Sequence, residues 1–244
     1  MPWLTQSVRL SLFVTPEALT VQPPTWQALT NTEPENRLAR TTVLQVEEGP
    51  FAGARLQLRT QQAPPPRIDL FLVLATAAAE SGVPPSLGSF DEVMQSMRVP
   101  SERLLRSGIA TVRLALGVVH VQPADDIQDA NRILQESVGP TRLRLENARD
   151  FVYRINRPRV SAVVRELSIN RVATWSWVTW QQLLHDPATG QTSGVGVPRY
   201  GAALETDFNT QEARTDSIRP TDLVELLGEL QAMTKELADQ GDIE

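Results

Sequence analysis

Two histidines are the residues of this sequence best suited to metal chemistry: His120, and His185, which is followed directly by Asp186. Metal-dependent phosphohydrolases place a histidine, a His-Asp pair and a further aspartate on helices, where the side chains converge on the metal. Here His120 ends a predicted strand, and His185-Asp186-Pro187 runs into a loop rich in proline and glycine. The local pattern favours a turn started by Asp186, and a metal-dependent hydrolase remains an alternative function.

Acidic residues occur as two adjacent pairs and one isolated aspartate. Glu47 and Glu48 point to different sides of a strand, so they do not form the facing carboxylates that a glycosidase needs. Asp125 is predicted to cap a helix that begins at Asp126. Asp69 interrupts an apolar run, where a buried carboxylate needs a partner; the pattern favours an exposed strand start or an arginine pair over a functional acid. No catalytic residue is assigned.

Composition removes several classes of chemistry. The absence of cysteine excludes disulfide scaffolds, cysteine nucleophiles and thiolate zinc sites. The only lysine is Lys235, so the chain lacks the phosphate-binding loop of nucleotide hydrolases and the strand lysine of kinases. We predict no cofactor and no metal. The excess of arginine over lysine, with abundant alanine and proline, indicates a G+C-rich genome and favours a bacterial or phage origin.

Charge is unevenly distributed along the chain. Residues 141–180 contain eight arginines and three acidic residues, whereas residues 205–244 contain eleven acidic and three basic residues. Arginines and aromatic rings on a sheet are typical of single-stranded nucleic-acid binding. The candidate residues for this alternative function are Arg154, Arg157, Arg159, Arg171 and Trp175. Two other interpretations stay open: the tryptophans are core residues, and the acidic C-terminal region docks on the basic segment.

The hydrophobic pattern predicts an α+β fold with a largely antiparallel sheet of about eight strands and two or three interleaved helices. Period-two alternation is clearest at 8–14, 54–60 and 111–121. A capping box at Ser89–Glu92 begins a helix that should stop near Pro100, with a short second helix at 101–107. Residues 142–146 are predicted as a strand and 186–198 as a mobile loop.

A C-terminal amphipathic helix is predicted over Asp222–Ala238. Its apolar residues recur at the a and d positions of about two and a half heptads. These residues are Leu223, Leu226, Leu230, Met233 and Leu237. Two alternatives are left open: the seam binds a partner helix or a second copy, or the helix packs on its own sheet.

The predicted organisation is a globular region over residues 1–219, with a possible division near residue 108, and an acidic C-terminal helix and tail over residues 220–244. The longest apolar run, Leu70–Ala79, is too short to span a bilayer, and the N-terminus does not have the pattern of a secretory signal. These observations predict a soluble cytoplasmic protein. The leading functional hypothesis is a non-enzymatic adaptor in a bacterial or phage protein assembly, docking through its C-terminal helix to a protein partner or in a homo-oligomer.

Overall fold

Alternation of buried and less buried side chains is most regular in the fourth strand, because successive side chains of a strand point to opposite faces. In the fourth strand every second side chain from Ala54 to Thr60 is buried. The computed structural model describes residues 2–21, 23–41, 44–75, 84–139, 144–145, 148–185, 192–211 and 216–242, except the side chains of 39–41, 182–185 and 192–197.

Ten strands and five helices lie within the described residues. The strands are β1 (Leu4–Val14), β2 (Asn36–Thr41), β3 (Leu44–Phe51), β4 (Ala54–Gln61), β5 (Arg67–Val73), β6 (Thr111–Ala124), β7 (Val152–Asn156), β8 (Arg159–Val160), β9 (Ser168–His185) and β10 (Thr192–Thr210). The helices are α1 (Pro16–Val21), α2 (Trp26–Thr30), α3 (Phe90–Leu105), α4 (Ile127–Ser137) and α5 (Pro220–Gln240). The α+β class and the large antiparallel sheet are confirmed.

All ten strands form one antiparallel sheet in the order β2-β3-β4-β5-β1-β6-β10-β9-β7, with β8 also paired to β9. The central pair is β1 with β6, in which Val8 faces Val118 and Leu10 faces Leu116. This pairing crosses residue 108, so hydrogen bonds join the two sides of that position within one sheet.

The helices bury one face of this sheet. Inward side chains of β1, such as Leu10 and Leu12, are fully buried in the same apolar cluster as Met97 of α3, Leu134 of α4 and Leu230 of α5. We call this side the helical face. The opposite, open face carries half-exposed polar and charged side chains, as antiparallel sheets commonly do.

The C-terminal helix belongs to this core. Its five seam residues, Leu223, Leu226, Leu230, Met233 and Leu237, are all at most 5% exposed. They belong to the apolar cluster that the helical face of the sheet buries. Of the two alternatives for the seam, the structure has the helix packed on its own sheet, and the seam offers no exposed surface to a partner.

Three local predictions need correction. Helix α3 continues through Pro100 to Leu105, because Met97, Pro100 and Leu104 form one buried stripe whose packing outweighs the single hydrogen bond that proline removes. The cap of α4 is Asp126 rather than Asp125: its carboxylate accepts from the backbone amides of residues 128 and 129. Residues 192–198 of the predicted loop are strand in β10, and residues 186–191 lie outside the described residues.

Other local predictions agree with the structure. The capping box at Ser89 is present, with Ser89 Oγ accepting from the backbone amide of Glu92 and the Glu92 carboxylate accepting from the Ser89 amide. Ala52 and Gly53 form the turn between β3 and β4, both with positive φ. The predicted strand at 142–146 lies mostly outside the described residues. Helices α1 and α2 were not predicted, because five or six residues are too few for a helical period to be visible.

Candidate functional site

A cleft of about 430 Å³ opens on the helical face, where four parts of the chain meet. They are the N-terminus of the chain, the first turn of α3, the last turn of α4 and the last turns of α5. The residues that matter for its chemistry are Trp3, Phe90, Asp91, His120, Glu136 and Asp239. We call it the His120 cleft.

His120 lines the cleft and is only 1% exposed. It lies in β6, where its register partners are Thr5 of β1 and Leu204 of β10. Neither ring nitrogen has a hydrogen-bond partner in the described part of the chain, and the buried Thr5 Oγ1 has none either. A buried polar group without a partner is destabilising by about 1–3 kcal/mol, so such groups cluster at sites that bind something.

The imidazole of His120 is neutral at physiological pH. Burial lowers its pKa from the ordinary 6.5 to about 4. The Phe90 ring meets it edge-on, with ring centroids 5.5 Å apart. A neutral imidazole has one N–H donor and one nitrogen acceptor, so His120 has one unpartnered donor and one unpartnered acceptor.

The rim of the cleft is acidic. Asp91, Glu136 and Asp239 line it together with one cation, Lys235, which donates a hydrogen bond to Asp91. Glu136 also accepts from Arg132, one turn earlier on α4, at 2.8 Å. Carboxylates therefore outnumber ammonium groups around the opening.

The wall formed by α5 is held in place by an ion pair that we call the C-terminal clasp: Asp242 with Arg157 and Tyr153. The Asp242 carboxylate accepts from Arg157 Nε at 2.7 Å, from Arg157 Nη2 at 3.1 Å and from the Tyr153 hydroxyl at 2.8 Å. Burial alone would raise the pKa of Asp242, but these hydrogen bonds outweigh burial and lower it.

Backbone contacts attach the end of α5 to the end of α4. The Asp242 amide donates to the Ser137 carbonyl at 2.8 Å. Gly241 approaches so closely that a Cβ there would lie 2.2 Å from that carbonyl oxygen, and its φ of 74° also favours glycine. The two helix ends that border the cleft are thus fixed relative to each other.

Removing one hydrogen bond of the clasp should be measurable. We expect Tyr153→Phe to lower the free energy of unfolding by about 1.5–3 kcal/mol, since a hydrogen bond to a charged group contributes about that much. The matched control is Tyr200→Phe, because the Tyr200 hydroxyl makes no hydrogen bond to the described residues and is not buried. Urea unfolding of both variants measures the difference, and equal stabilities would contradict a structural role for the clasp.

The five residues predicted for nucleic-acid binding are not assembled into one exposed surface. Trp175 is fully buried, and Arg171 lies half-buried with its guanidinium carbon 5.7 Å from the centre of the Phe208 ring. Arg157 binds Asp242, and Arg159 binds Glu236 of α5 at 3.1 Å. This arrangement matches the interpretation in which the acidic C-terminal region docks on the basic segment.

Arg154 differs from the other four residues. It is exposed on the open face, where it lines a shallow concavity of about 310 Å³ with Arg9, Glu205 and Asp207. Arg9 and Asp207 are 4.0 Å apart there. Two arginines and two carboxylates balance each other, so this concavity has no net charge to attract an anionic chain.

The candidate metal ligands are also spread over the fold. Asp69 is buried on the open face, where it accepts from Ser11 at 2.6 Å and pairs with Arg67 at 3.0 Å. Of the two alternatives that the sequence left for Asp69, the structure has the arginine pair and not the exposed position, because the residue is buried. Asp125 and Asp126 lie at the start of α4, and Asp186 lies outside the described residues. Within the described ranges no group of three or more histidine and acidic side chains is placed to hold a metal ion.

No protein-family model, curated protein or solved structure matches this chain. Among the helices in the described part, none combines the length and the apolar character needed to cross a membrane. The functional conclusion therefore depends on the geometry of the His120 cleft.

One sequence feature points to this cleft: the position of His120 in its strand. The metal hypothesis considered the same histidine only as a ligand. Leu114, Leu116, Val118 and His120 occupy every second position of one strand, so alternation places the imidazole on the apolar, buried face. A polar side chain at such a position indicates either an internal hydrogen bond or a binding site. Trp3, Phe90 and Asp239 carry no local signal, because only tertiary packing brings them beside His120.

Proposed function

We propose that this protein is a non-enzymatic interaction module of a protein assembly, and that a side chain of a partner protein enters the His120 cleft. The observation that carries the proposal is the buried imidazole of His120, whose two nitrogens have no hydrogen-bond partner among the described residues although the residue lines an open cleft. This replaces the C-terminal seam as the docking site, because the seam packs in the core of its own chain.

The size and lining of the cleft support this function. Ligand sites are concave, largely apolar and furnished with a few polar groups that fix orientation, with volumes of about 300–1,000 Å³. The His120 cleft combines two aromatic side chains, Trp3 and Phe90, with one buried imidazole, and it lies within that range of volume. A partner that supplies hydrogen bonds to His120 would recover the stability that the unpartnered nitrogens forfeit.

The fixed walls of the cleft also favour binding. The capping box holds the first turn of α3, and the C-terminal clasp holds the end of α5. Preorganised walls lower the entropic cost of binding because fewer side chains have to be ordered. A rigid pocket with one neutral imidazole suits recognition of a single projecting side chain.

A peptide library tests the proposed function. Peptides displayed on phage are selected against the full chain, and their affinities are then measured for His120→Phe and, as the matched control, His185→Phe. We expect selected peptides to lose about tenfold or more in affinity with His120→Phe, since one or two buried hydrogen bonds are removed, and to keep it with His185→Phe. Peptides that bind both variants equally, or the absence of any binding peptide, would overturn the proposal.

A further inference from the structure

We propose that the His120 cleft selects a positively charged side chain of the partner, the guanidinium of arginine or the ammonium of lysine. This inference rests on the proposed function and adds the chemical class of the group that enters the cleft. Four independent features of the cleft support it: its charged rim, its two helix ends, its aromatic walls and its neutral floor.

The rim carries more negative than positive charge, although Asp91 pairs with Lys235 and Glu136 pairs with Arg132 of α4. Asp91, Glu136 and Asp239 face one lysine, and the ammonium of Lys235 is already hydrogen-bonded to Asp91. Asp91 and Glu136 keep about two thirds of their side-chain surface exposed, 68% and 65%. An incoming cation can therefore reach these carboxylates without displacing other elements.

Two helices, α4 and α5, end at the cleft. The last turns of α4 and α5 contribute Glu136, Ser137, Asp239 and Gln240 to the lining, and neither helix has a basic residue in its last turn. The C-terminus of a helix carries the equivalent of about half a negative charge and favours cations. A guanidinium or ammonium entering here would add positive charge beside both helix ends, which the dipoles favour.

One feature of the cleft favours an anion rather than a cation, but it is already neutralised. The N-terminus of α3 also borders the cleft, and a helix N-terminus favours anions. However, the Glu92 carboxylate accepts from both the amide and the hydroxyl of Ser89, and these hydrogen bonds lower the pKa of Glu92 and keep it ionised. The negative charge of this carboxylate offsets the positive end of the α3 dipole.

The aromatic walls and the floor fit a cation as well. Trp3 and Phe90 both line the cleft, and the faces of such rings attract Lys and Arg, tryptophan most strongly. The neutral His120 imidazole can accept an N–H from either cation. An imidazolium in the same place would repel it, but burial keeps the ring unprotonated at neutral pH.

The test uses histidine-labelled full chain and small capped probes. Because the sequence contains only two histidines, His120 and His185, the imidazole signals can be assigned from a single variant. The chain is titrated with Nα-acetyl-arginine amide, Nα-acetyl-lysine amide, the uncharged isostere Nα-acetyl-citrulline amide, the acidic Nα-acetyl-glutamate amide, and ethylguanidine. The titrations use the native chain, and His185→Phe alone suffices to assign the two imidazole signals, so a cleft substitution that fails to fold cannot obscure the result.

We expect the arginine or lysine probe to shift the His120 signals and to bind about tenfold or more tightly than the citrulline probe, with affinity falling as salt rises. If the citrulline or the glutamate probe binds as tightly as the arginine probe, the inference that the cleft selects a cation is overturned, and the cleft is still a docking site. If ethylguanidine binds more tightly than every capped amino acid, the inference that the cation belongs to a protein side chain is overturned. If no probe shifts His120, the cation inference fails, and the peptide library decides the proposed function separately.

Rim variants add a second readout. Glu136→Gln with Asp239→Asn should weaken the arginine probe by roughly threefold to tenfold, because each exposed charge contributes a fraction of a kcal/mol. The matched control is Glu225→Gln, which removes an exposed carboxylate of α5 that does not line the cleft. An equal loss per carboxylate removed in the rim and control variants would show a general charge effect and would contradict a specific cation site.

Discussion

Leu230→Ala is expected to lower the free energy of unfolding by about 2–5 kcal/mol. Leu230 is fully buried in the cluster that joins α5 to the helical face, and truncation leaves a cavity there as well as removing apolar contact. The control is Val99→Ala in α3, a residue that is 47% exposed and should change stability by less than about 1 kcal/mol. Urea unfolding of both variants gives the comparison.

The same variant separates the two alternatives for the C-terminal seam. A seam that packs on its own sheet requires Leu230→Ala to unfold at lower urea with no change in association state by light scattering. A seam that binds another chain requires the reverse: unchanged unfolding of the isolated chain and weaker association. Only the second result would restore Leu223, Leu226, Leu230, Met233 and Leu237 as a partner surface.

Local sequence patterns are sufficient to predict the strands and helices whose apolar residues recur regularly over many positions. The alternation in β4 and the heptads of α5 identify both elements because one face of each is buried over many residues. The capping box at Ser89 is similarly reliable, since Ser89 and Glu92 satisfy each other within four residues. These features need no knowledge of distant contacts.

Elements decided by distant contacts could not be predicted in the same way. Pro100 is a local signal for ending a helix, but Met97 and Leu104 on either side of it both pack into the core, and this tertiary burial extends α3. The apolar residues of α5 are identified correctly from the sequence. A heptad pattern, however, does not indicate whether these residues pack against another chain or against the sheet of their own chain.

The charge pattern had the same ambiguity. Arg157 and Arg159 near Pro158 are compatible with an anion site, and the acidic C-terminal region is equally able to bind them. The structure pairs Asp242 with Arg157 and Glu236 with Arg159, so the acidic C-terminal region neutralises two arginines of the basic segment. The cleft was missed for a related reason, since Trp3, Phe90, His120 and Asp239 are brought together only by the sheet register and by helix packing.

The stability of the protein should depend on pH through His120. The pKa of this residue is about 4 in the folded chain, because burial disfavours the imidazolium, and about 6.5 when unfolded. The unfolded chain therefore binds a proton at a higher pH than the folded chain. The stability of the folded chain is therefore unaffected by the protonation of His120 above pH 6.5. It falls by up to about 3 kcal/mol as the pH falls from 6.5 towards 4, because the unfolded chain takes up the proton first.

Comparison of variants isolates this effect from the carboxylates, which also weaken the fold in acid. The charged groups that line the cleft around His120 are Asp91 from α3, Glu136 from α4, and Lys235 and Asp239 from α5, and His120→Phe keeps all of them. The stability difference between the native chain and His120→Phe should change by about 3 kcal/mol between pH 7.5 and pH 4. His185→Phe, the matched control, should not reproduce this change in full. An imidazole signal of His120 that titrates near pH 6.5 would contradict the buried, neutral histidine on which the His120 cleft is built, and with it the proposed binding site.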